Sequence, residues 1–573
     1  MKTVFRYLLP FRKRMSLGLF IKITGTVIEL LLPYILSHIL KNVIAFDGVY
    51  SILWWGGAMI LCALGACVCN IVANRMAAKV SSDFSRQMRK DLFKKTLNLS
   101  AAQTDKFTVA SLESRITTDT YNVHNFVSMM QRMGVRAPIL LIGGIAITLF
   151  MDRYLALVMI AILPFIFASV YLISRKGVPL YSQVQRSVDG MIRVVREDTV
   201  GIRVIKALSK NDYENRRYDE KNKKLSQDEK RAGMIMGVVN PIMTVLMNFG
   251  ITAVVALSAQ RVAGNKSDPE TVIAFMQYFT LISMAMMSVS RIFVMYTKCA
   301  ASAGRIAEVL NTPEEILTER ADSLNRSMDK YICFDNVSFS YTGKHKHLEK
   351  ISFSLAKGGS LGIIGATGSG KTTLVSLLLR FYDVTEGKIT INGKNIKSYT
   401  RDELSSMIGV ALQNDFLYSD TIEENIRFGR DLSLAEVEEA ARIAQAHDFI
   451  SAIPDGYQHI LSPKATNISG GQKQRILIAR AIAARPDILV LDDSSSALDY
   501  KTDAALRRAL AVNMSNTTTV TVAQRVSSVK DCDLIIVLDK GKIIGKGTHE
   551  ELLKDCVAYR EISDSQMGGA IVE

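Results

Sequence analysis

Proline and tryptophan are scarce in this 573-residue chain, at 11 and 2 residues, and only seven cysteines occur. So little proline excludes collagen-like and Pro-rich disordered chains. The cysteines (Cys62, Cys67, Cys69, Cys299, Cys333, Cys532, Cys556) follow no metal-ligand pattern. Cys67 and Cys69 stand one residue apart in an apolar run, too close for the two-residue zinc or redox spacing. They are expected to be reduced structural thiols. Acidic residues are the minority, 55 against 70 basic, giving a formal charge of +15. Such an excess suits a nucleic acid or a membrane surface. A cleavable leader is not expected: residues 1–14 are basic, but the apolar stretch behind them is too long and has no small-residue cleavage site. The length excludes a single small module.

What is abundant is apolar sequence, 48% hydrophobic residues, and it is concentrated in the first half. Residues 15–40, 51–74, 137–151, 154–174, 233–260 and 271–290 are predicted to cross about 30 Å of hydrocarbon as helices. The third is short and is expected to begin before Arg136. Lys and Arg crowd residues 1–14, 75–132 and 175–231, whereas the alternating connections carry Arg153, Arg261 and Lys266. That asymmetry places the N-terminus and the two long loops in the cytoplasm. A membrane protein with basic inner loops therefore accounts for the charge, and no nucleic-acid partner is expected.

The two inner loops run about 60 residues with few Pro or Gly, which is unusual for structureless connections. Continuing each span as a helix uses up those residues and leaves two tips for a cytoplasmic contact, predicted at residues 117–123 and 199–203. Lys22 and Glu29 lie on one face of the first span. Charge at membrane depth faces a cavity or a partner. Lys22 either snorkels or meets a ligand, and Glu29 either packs on a neighbouring helix or serves substrate or proton. Met243, Met247, Met276, Met284, Met286 and Met287 suit an adaptable apolar pocket or ordinary helix packing. With Phe249, Phe275, Tyr278 and Phe279 they suggest a hydrophobic or amphipathic cargo (drug or lipid), a peptide remaining open.

After Arg305 the uncharged runs stop. Residues 311–330 read as a polar linker, and from about Tyr331 short apolar strands alternate with helices. In "LGIIGATGSGKTTL" an apolar strand runs into Gly365, Ala366, Thr367, Gly368, Ser369, Gly370, Lys371, Thr372 and Thr373, then a helix. The glycines let backbone N–H groups wrap phosphates, Lys371 reaches the terminal phosphates, and the Thr372 hydroxyl can ligate Mg²⁺. "DILVLDD" is a buried strand ending at Asp492, placed for the Mg²⁺ shell, with Asp493 next. Between them lie Gln413 and the turn Ser469, Gly470, Gly471, Gln472, which opens a helix and offers a second set of N–H donors.

With these motifs in order the chain resembles an ABC transporter half-subunit of the exporter type. The implied fold is a polytopic α-helical membrane domain with long cytoplasmic extensions (residues 1–310), a linker (311–330) and an α/β P-loop nucleotide-binding domain (331–573). The resemblance implies an ATP-driven transport ATPase using ATP and Mg²⁺. It also implies that Tyr341 stacks on adenine and that Gln413 joins Thr372 and Asp492 around the metal and links nucleotide to membrane domain. Ser469–Gln472 would complete the partner's ATP site, and Ser496–Asp499 would bridge the two sites. The fused order argues for export, since importers usually keep these parts on separate chains.

The chain departs from the family pattern at two catalytic positions. Asp493 stands where a catalytic Glu is usual, its carboxylate withdrawn by about 1–1.5 Å; a misplacement of that order costs on the order of 100-fold. Gln524 stands where the switch His is usual and cannot carry its cationic charge. The "LSPKATN" stretch also lacks the usual Glu–Arg–Gly pattern. The expectation is a degenerate site in a heterodimeric exporter whose partner carries Glu and His, in a bacterial plasma membrane. A slow homodimer and a channel or receptor on the same scaffold stay open. A soluble ABC ATPase of DNA repair or translation would need none of the uncharged runs.

Overall fold

The computed structural model describes residues 1–44, 48–264, 269–313, 330–413 and 416–567. The chain divides into two compact units, Met1–Leu97 with Val109–Thr312, and Asn98–Thr108 with Pro313–Glu573. Most of the predicted linker, 314–329, lies outside the described residues.

The first unit is built from six helical runs: Lys2–Val43, Val49–Leu97, Val109–Met151, Arg153–Val200, Asn211–Arg261 and Glu270–Leu310. At 41–51 residues each they reach about 60–75 Å, twice the hydrocarbon thickness. Each predicted span falls inside one run. The third does begin before Arg136: the helix runs from Val109 through two π-turns, Arg115–Asp119 and Met130–Gly134. Lys41 sits in the π-turn ending the first run, so the side predicted to face outward carries one more cation than the connections alone suggest. Two turns at the same end of the runs are tied together. The Asp152 carboxylate caps Arg153–Val200, accepting from Tyr154 N at 2.9 Å, and meets Arg261 Nε at 3.2 Å.

The predicted inner tips need correction. Residues 117–123 are not a tip; they continue the helix. Within them Asp119 is buried and accepts from Arg305 and from Ser302 Oγ, the latter at 2.8 Å. The chain turns earlier, at 98–108. There Ser100 caps the short helix Ala101–Phe107 in a box with Gln103, and Thr108 reverses the backbone at φ 63°. The second tip is a separate helix, Ile202–Ala207, ended by Ser209 at φ 50°, a few residues beyond the predicted 199–203.

Apolar packing between the helices also redistributes the suggested pocket residues. Phe275, Tyr278 and Phe279 are buried within this chain, and Tyr278 Oη donates to Leu30 O at 2.7 Å. Met243, with the partly buried Met247, Met286 and Met287, packs around Met159 and Ile166. Only Phe249, Met276 and Met284 of that set stay exposed. Glycine permits the closest approach: a Cβ on Gly250 would lie 2.5 Å from Phe279 Cζ and 2.9 Å from Ile162 Cδ1.

The second unit holds two sheets. Five parallel strands lie in the spatial order Ile408–Ala411, Ile488–Asp492, Thr518–Val522, Ser360–Gly365, Leu534–Asp539, with Lys542–Gly547 antiparallel at the edge. Leu348–Leu355, Ile332–Phe339, Glu386–Ile391 and Lys394–Asn395 form an antiparallel sheet. The strand Ile488–Asp492 is buried at every position, which explains its unbroken apolar sequence. Helices Ile422–Arg427, Leu434–Ile443 and Gly470–Ile482 surround a separate core containing Ile476 and Leu477.

Gly250→Val forces Phe279 and Ile162 apart, and overpacking of this kind costs about 1–3 kcal/mol. The expected result is a lowered melting temperature in detergent. Gly233→Ala, with nothing within 4 Å of its added Cβ, should leave it unchanged.

Candidate functional site

The phosphate-binding loop leaves the central strand Ser360–Gly365, which is paired on both edges. Two of its glycines are sterically required. Gly368 has φ 81° and Gly370 φ 105°, where any Cβ is strained, and a Cβ on Gly370 would stand 2.7 Å from Leu348 Cδ2. Gly370 opens the helix Lys371–Leu378, whose N–H groups and dipole favour an anion. Lys371 Nζ donates to Gly365 O at 2.7 Å and Ala366 O at 2.9 Å. Burial lowers its pKa below the ordinary lysine value, and Asp493 and Asp492 oppose that shift.

A cavity of about 500 Å³ opens over this loop and brings together Thr367, Lys371, Thr372, Gln413, Asp492 and Gln524. Gly368, Gly370, Thr373 and Asp493 line it too. A larger cavity of about 630 Å³ beside residues 98–101 contains none of the phosphate-loop residues. Tyr341 is exposed next to the loop, its hydroxyl 3.3 Å from Thr373 Oγ1 and its ring edge-on to His347 and Tyr382. Tyr341 is thus fixed to the loop and stays partly exposed.

Asp492 ends its strand 1% exposed, and its Oδ2 has no hydrogen-bond partner among the described residues. Burial, then the neighbouring Asp493, pushes its pKa up to about 6, with Lys371 opposing. An orphaned buried carboxylate oxygen lining the same cavity as the Thr372 hydroxyl suits the oxygen ligands that Mg²⁺ takes. Gln413 uses its amide N–H elsewhere, which leaves its amide oxygen for the same ion.

Asp493 sits at φ 49° with its N–H on Val522 O at 2.9 Å. Its Oδ2 accepts two amides at once: Gln413 Nε2 at 2.8 Å and Gln524 Nε2 at 2.8 Å. Burial raises its pKa, and the Gln524 bond, Lys371 and the Gln413 bond pull it back. A carboxylate oxygen that already accepts two N–H bonds is poorly placed to take a proton from water. The two departures noted in the sequence, Asp493 and Gln524, are therefore in direct contact.

The motif Ser469, Gly470, Gly471, Gln472 does not reach this cavity in the single chain. Ser469 caps the helix Gly470–Ile482 in a reciprocal box with Gln472. A Cβ on Gly471 would lie 3.0 Å from Ala497 O, so glycine lets the signature turn press against the Ser496–Asp499 loop. Asp499 in turn caps Tyr500–Asn513 through Thr502 N at 2.9 Å. In the "LSPKATN" stretch Ala465 takes φ 53°, and Asn467 Oδ1 accepts from Ser462 N at 3.0 Å.

The motifs did not disclose Lys346, His347, Lys540 and Gly541, which close the cavity from neighbouring strands and loops. Their signal was the basic cluster "GKHKH" and the Lys540–Gly541 turn. Gln566 was also missed: its side chain accepts from Val526 N at 2.8 Å and donates to Gln524 O at 2.9 Å, fastening the switch loop. No local pattern announces that contact.

Residues 15–286 match the ABC transporter transmembrane region, and residues 348–496 match the ABC transporter family. The chain is 32% identical over 571 residues to the uncharacterized ABC transporter ATP-binding protein YfiB of Bacillus subtilis, covering 99% of each chain. It is 34% identical over 481 residues to YfiC of the same bacterium, covering 84% of this chain and 80% of the other. A solved structure of a bacterial Atm1-family ABC exporter with ATP bound superimposes with TM-score 0.82 at 25% identity, over 96% of this chain and 97% of that one.

Lys371→Ala removes the only lysine of the loop itself, and the expected outcome is at least about tenfold weaker MgATP binding at this site, equivalent to 1.4 kcal/mol. Titration with a fluorescent ATP analogue measures it.

Proposed function

The chain belongs to the ABC transporters, as a half-transporter with six spans fused to one nucleotide-binding domain, and from that premise we propose the following. It exports hydrophobic or amphipathic compounds as one half of a heterodimer. Its own phosphate loop binds MgATP and hydrolyses it slowly, and its Ser469–Gln472 turn completes a competent site carried by a partner with Glu and His. The observation that carries this is the double clamp on Asp493. A shortened carboxylate has lost reach, and the oxygen that would take the proton is already held by Gln413 and Gln524 at 2.8 Å each.

In this reading the loop N–H groups and Lys371 grip the phosphates, Tyr341 holds the base, and Gln524 offers a neutral N–H where an imidazolium would stabilise charge. Mg²⁺, held by Thr372, Gln413 and Asp492, would neutralise phosphate charge. The slow site then keeps nucleotide bound while the other turns over. Domain limits of 1–310, 311–330 and 331–573 fit this scheme, with 98–108 packed as part of the second unit. Within that unit Tyr382 Oη donates to Asp105 Oδ2 at 2.6 Å, a direct link from the nucleotide fold to the short helix Ala101–Phe107. The Lys and Arg asymmetry supports a cytoplasmic N-terminus and nucleotide-binding domain in a bacterial plasma membrane.

Purified alone, the chain is expected to bind ATP with little turnover; co-expressed with its partner, it should show ATPase raised by at least about tenfold. Brisk hydrolysis by the chain alone would return the reading to a homodimer. In the complex with the partner's catalytic Glu disabled, Asp493→Glu with Gln524→His should raise residual hydrolysis more than the two single changes together, because both act on one oxygen. Asp105→Ala should leave ATP binding intact and lower substrate flux into vesicles.

A further inference from the structure

Four ionisable side chains gather on the first and third helical runs at membrane depth. Glu29 receives both forks of Arg136, Nε at 3.2 Å from Oε2 and Nη2 on Oε1. Lys22, two turns earlier on the same face of the first run, is buried and donates to Asn70 Oδ1 at 2.7 Å and Asn74 Oδ1 at 3.2 Å. Both partners are neutral. Arg132, one turn before Arg136, is exposed, and its only bond among the described residues is Nε to Ser128 O of its own helix at 3.4 Å. The charges acting on Lys22 are those of Arg136, Glu29 and Arg132.

Three cations and one carboxylate therefore gather here, and the carboxylate is bonded to Arg136. Counting from Met15, Lys22 lies about 10 Å and Glu29 about 20 Å along the helix, within a hydrocarbon layer of about 30 Å. Snorkelling does not account for Lys22, because its ammonium is held on the second run by two asparagines rather than extended to the interface. Glu29 is occupied by Arg136, so the substrate or proton role open to it in the sequence becomes one of positioning that guanidinium. An excess of positive charge at this depth is stable where it faces protein or a water-filled path, and it lowers the energy of an anion there.

Resting on the exporter reading above, we propose that Lys22, Arg132 and Arg136 form an anion-recognition site on the transport path, and that the exported compound is an anionic amphiphile. Its head group would be a phosphate, sulfate or carboxylate, and its tail would run along the apolar helix faces. The guanidinium groups suit planar, bidentate oxyanion contact, and the net excess of two charges suits a phosphate monoester in particular.

The test uses the transporter with its partner in nanodiscs and three amphiphiles of equal chain length: dodecyl phosphate, dodecylphosphocholine and dodecyltrimethylammonium. ATPase stimulation and vesicle flux are read for each. The expected result is a half-maximal concentration for dodecyl phosphate about tenfold below the other two, or 1.4 kcal/mol. Arg132→Gln and Lys22→Gln should each erase that ratio, and Arg132→Glu should reverse it toward the cation. The ratio between head groups is insensitive to a general folding defect. Inorganic phosphate at the same concentrations should not displace dodecyl phosphate; if it does, the site takes a soluble anion and the amphiphile assignment fails. Equal responses to all three head groups would overturn the anion site and leave the exporter reading standing. No stimulation and no flux with any of them would overturn both.

Discussion

The nucleotide site depends on one oxygen. Asp493 Oδ2 lies under the amides of Gln413 and Gln524, and each neighbour of the site takes its meaning from that clamp. The strand Ile488–Asp492 delivers Asp493 from a fully buried position, while the positive φ of Asp493 turns its side chain out of strand geometry. A side chain so placed holds its conformation only because its surroundings fix it. Here they are two amides and a backbone bond to Val522. Gln566 extends the arrangement by fastening the loop that carries Gln524.

The two departures from the family pattern meet in this clamp. A histidine at 524 would add a cation beside Lys371, whereas an amide adds an N–H without charge. That N–H needs an acceptor close to the backbone, which an aspartate provides. The site thus sets a shortened carboxylate under two amide donors in a fixed hydrogen-bonded geometry.

The membrane unit applies the same physics at lower dielectric. Asp152, Asp119 and Glu29 each meet an arginine from a run distant in sequence, so carboxylates tie the runs together. The basic side chains are not balanced in the same way. Among the described residues Lys22 bonds to two asparagines and Arg132 to a carbonyl of its own helix, and that imbalance gives the unit a polarity of its own.

Much of this was legible in the chain. The phosphate loop, the signature turn and the Asp-ended strand are local patterns, because strand–loop–helix geometry is fixed by residues a few positions apart. Six spans follow from apolar length alone. The first inner turn was misplaced because it has no Gly or Pro; its mark was the capping pair Ser100 and Gln103. Burial of Phe275, Tyr278 and Phe279 could not be read either, since an apolar helix in a membrane shows no polar face to distinguish inside from outside.

By itself the sequence determined the order of the parts and the chemistry of each loop, because those rest on spacings of a few residues. Only the tertiary structure decided which groups meet: Gln413 and Gln524 on Asp493 from 80 and 31 residues away, and Arg136 on Glu29 across 107. Such pairings are set by how strands and helices stack in space, and charge or hydrogen-bonding capacity along the chain does not specify its partner.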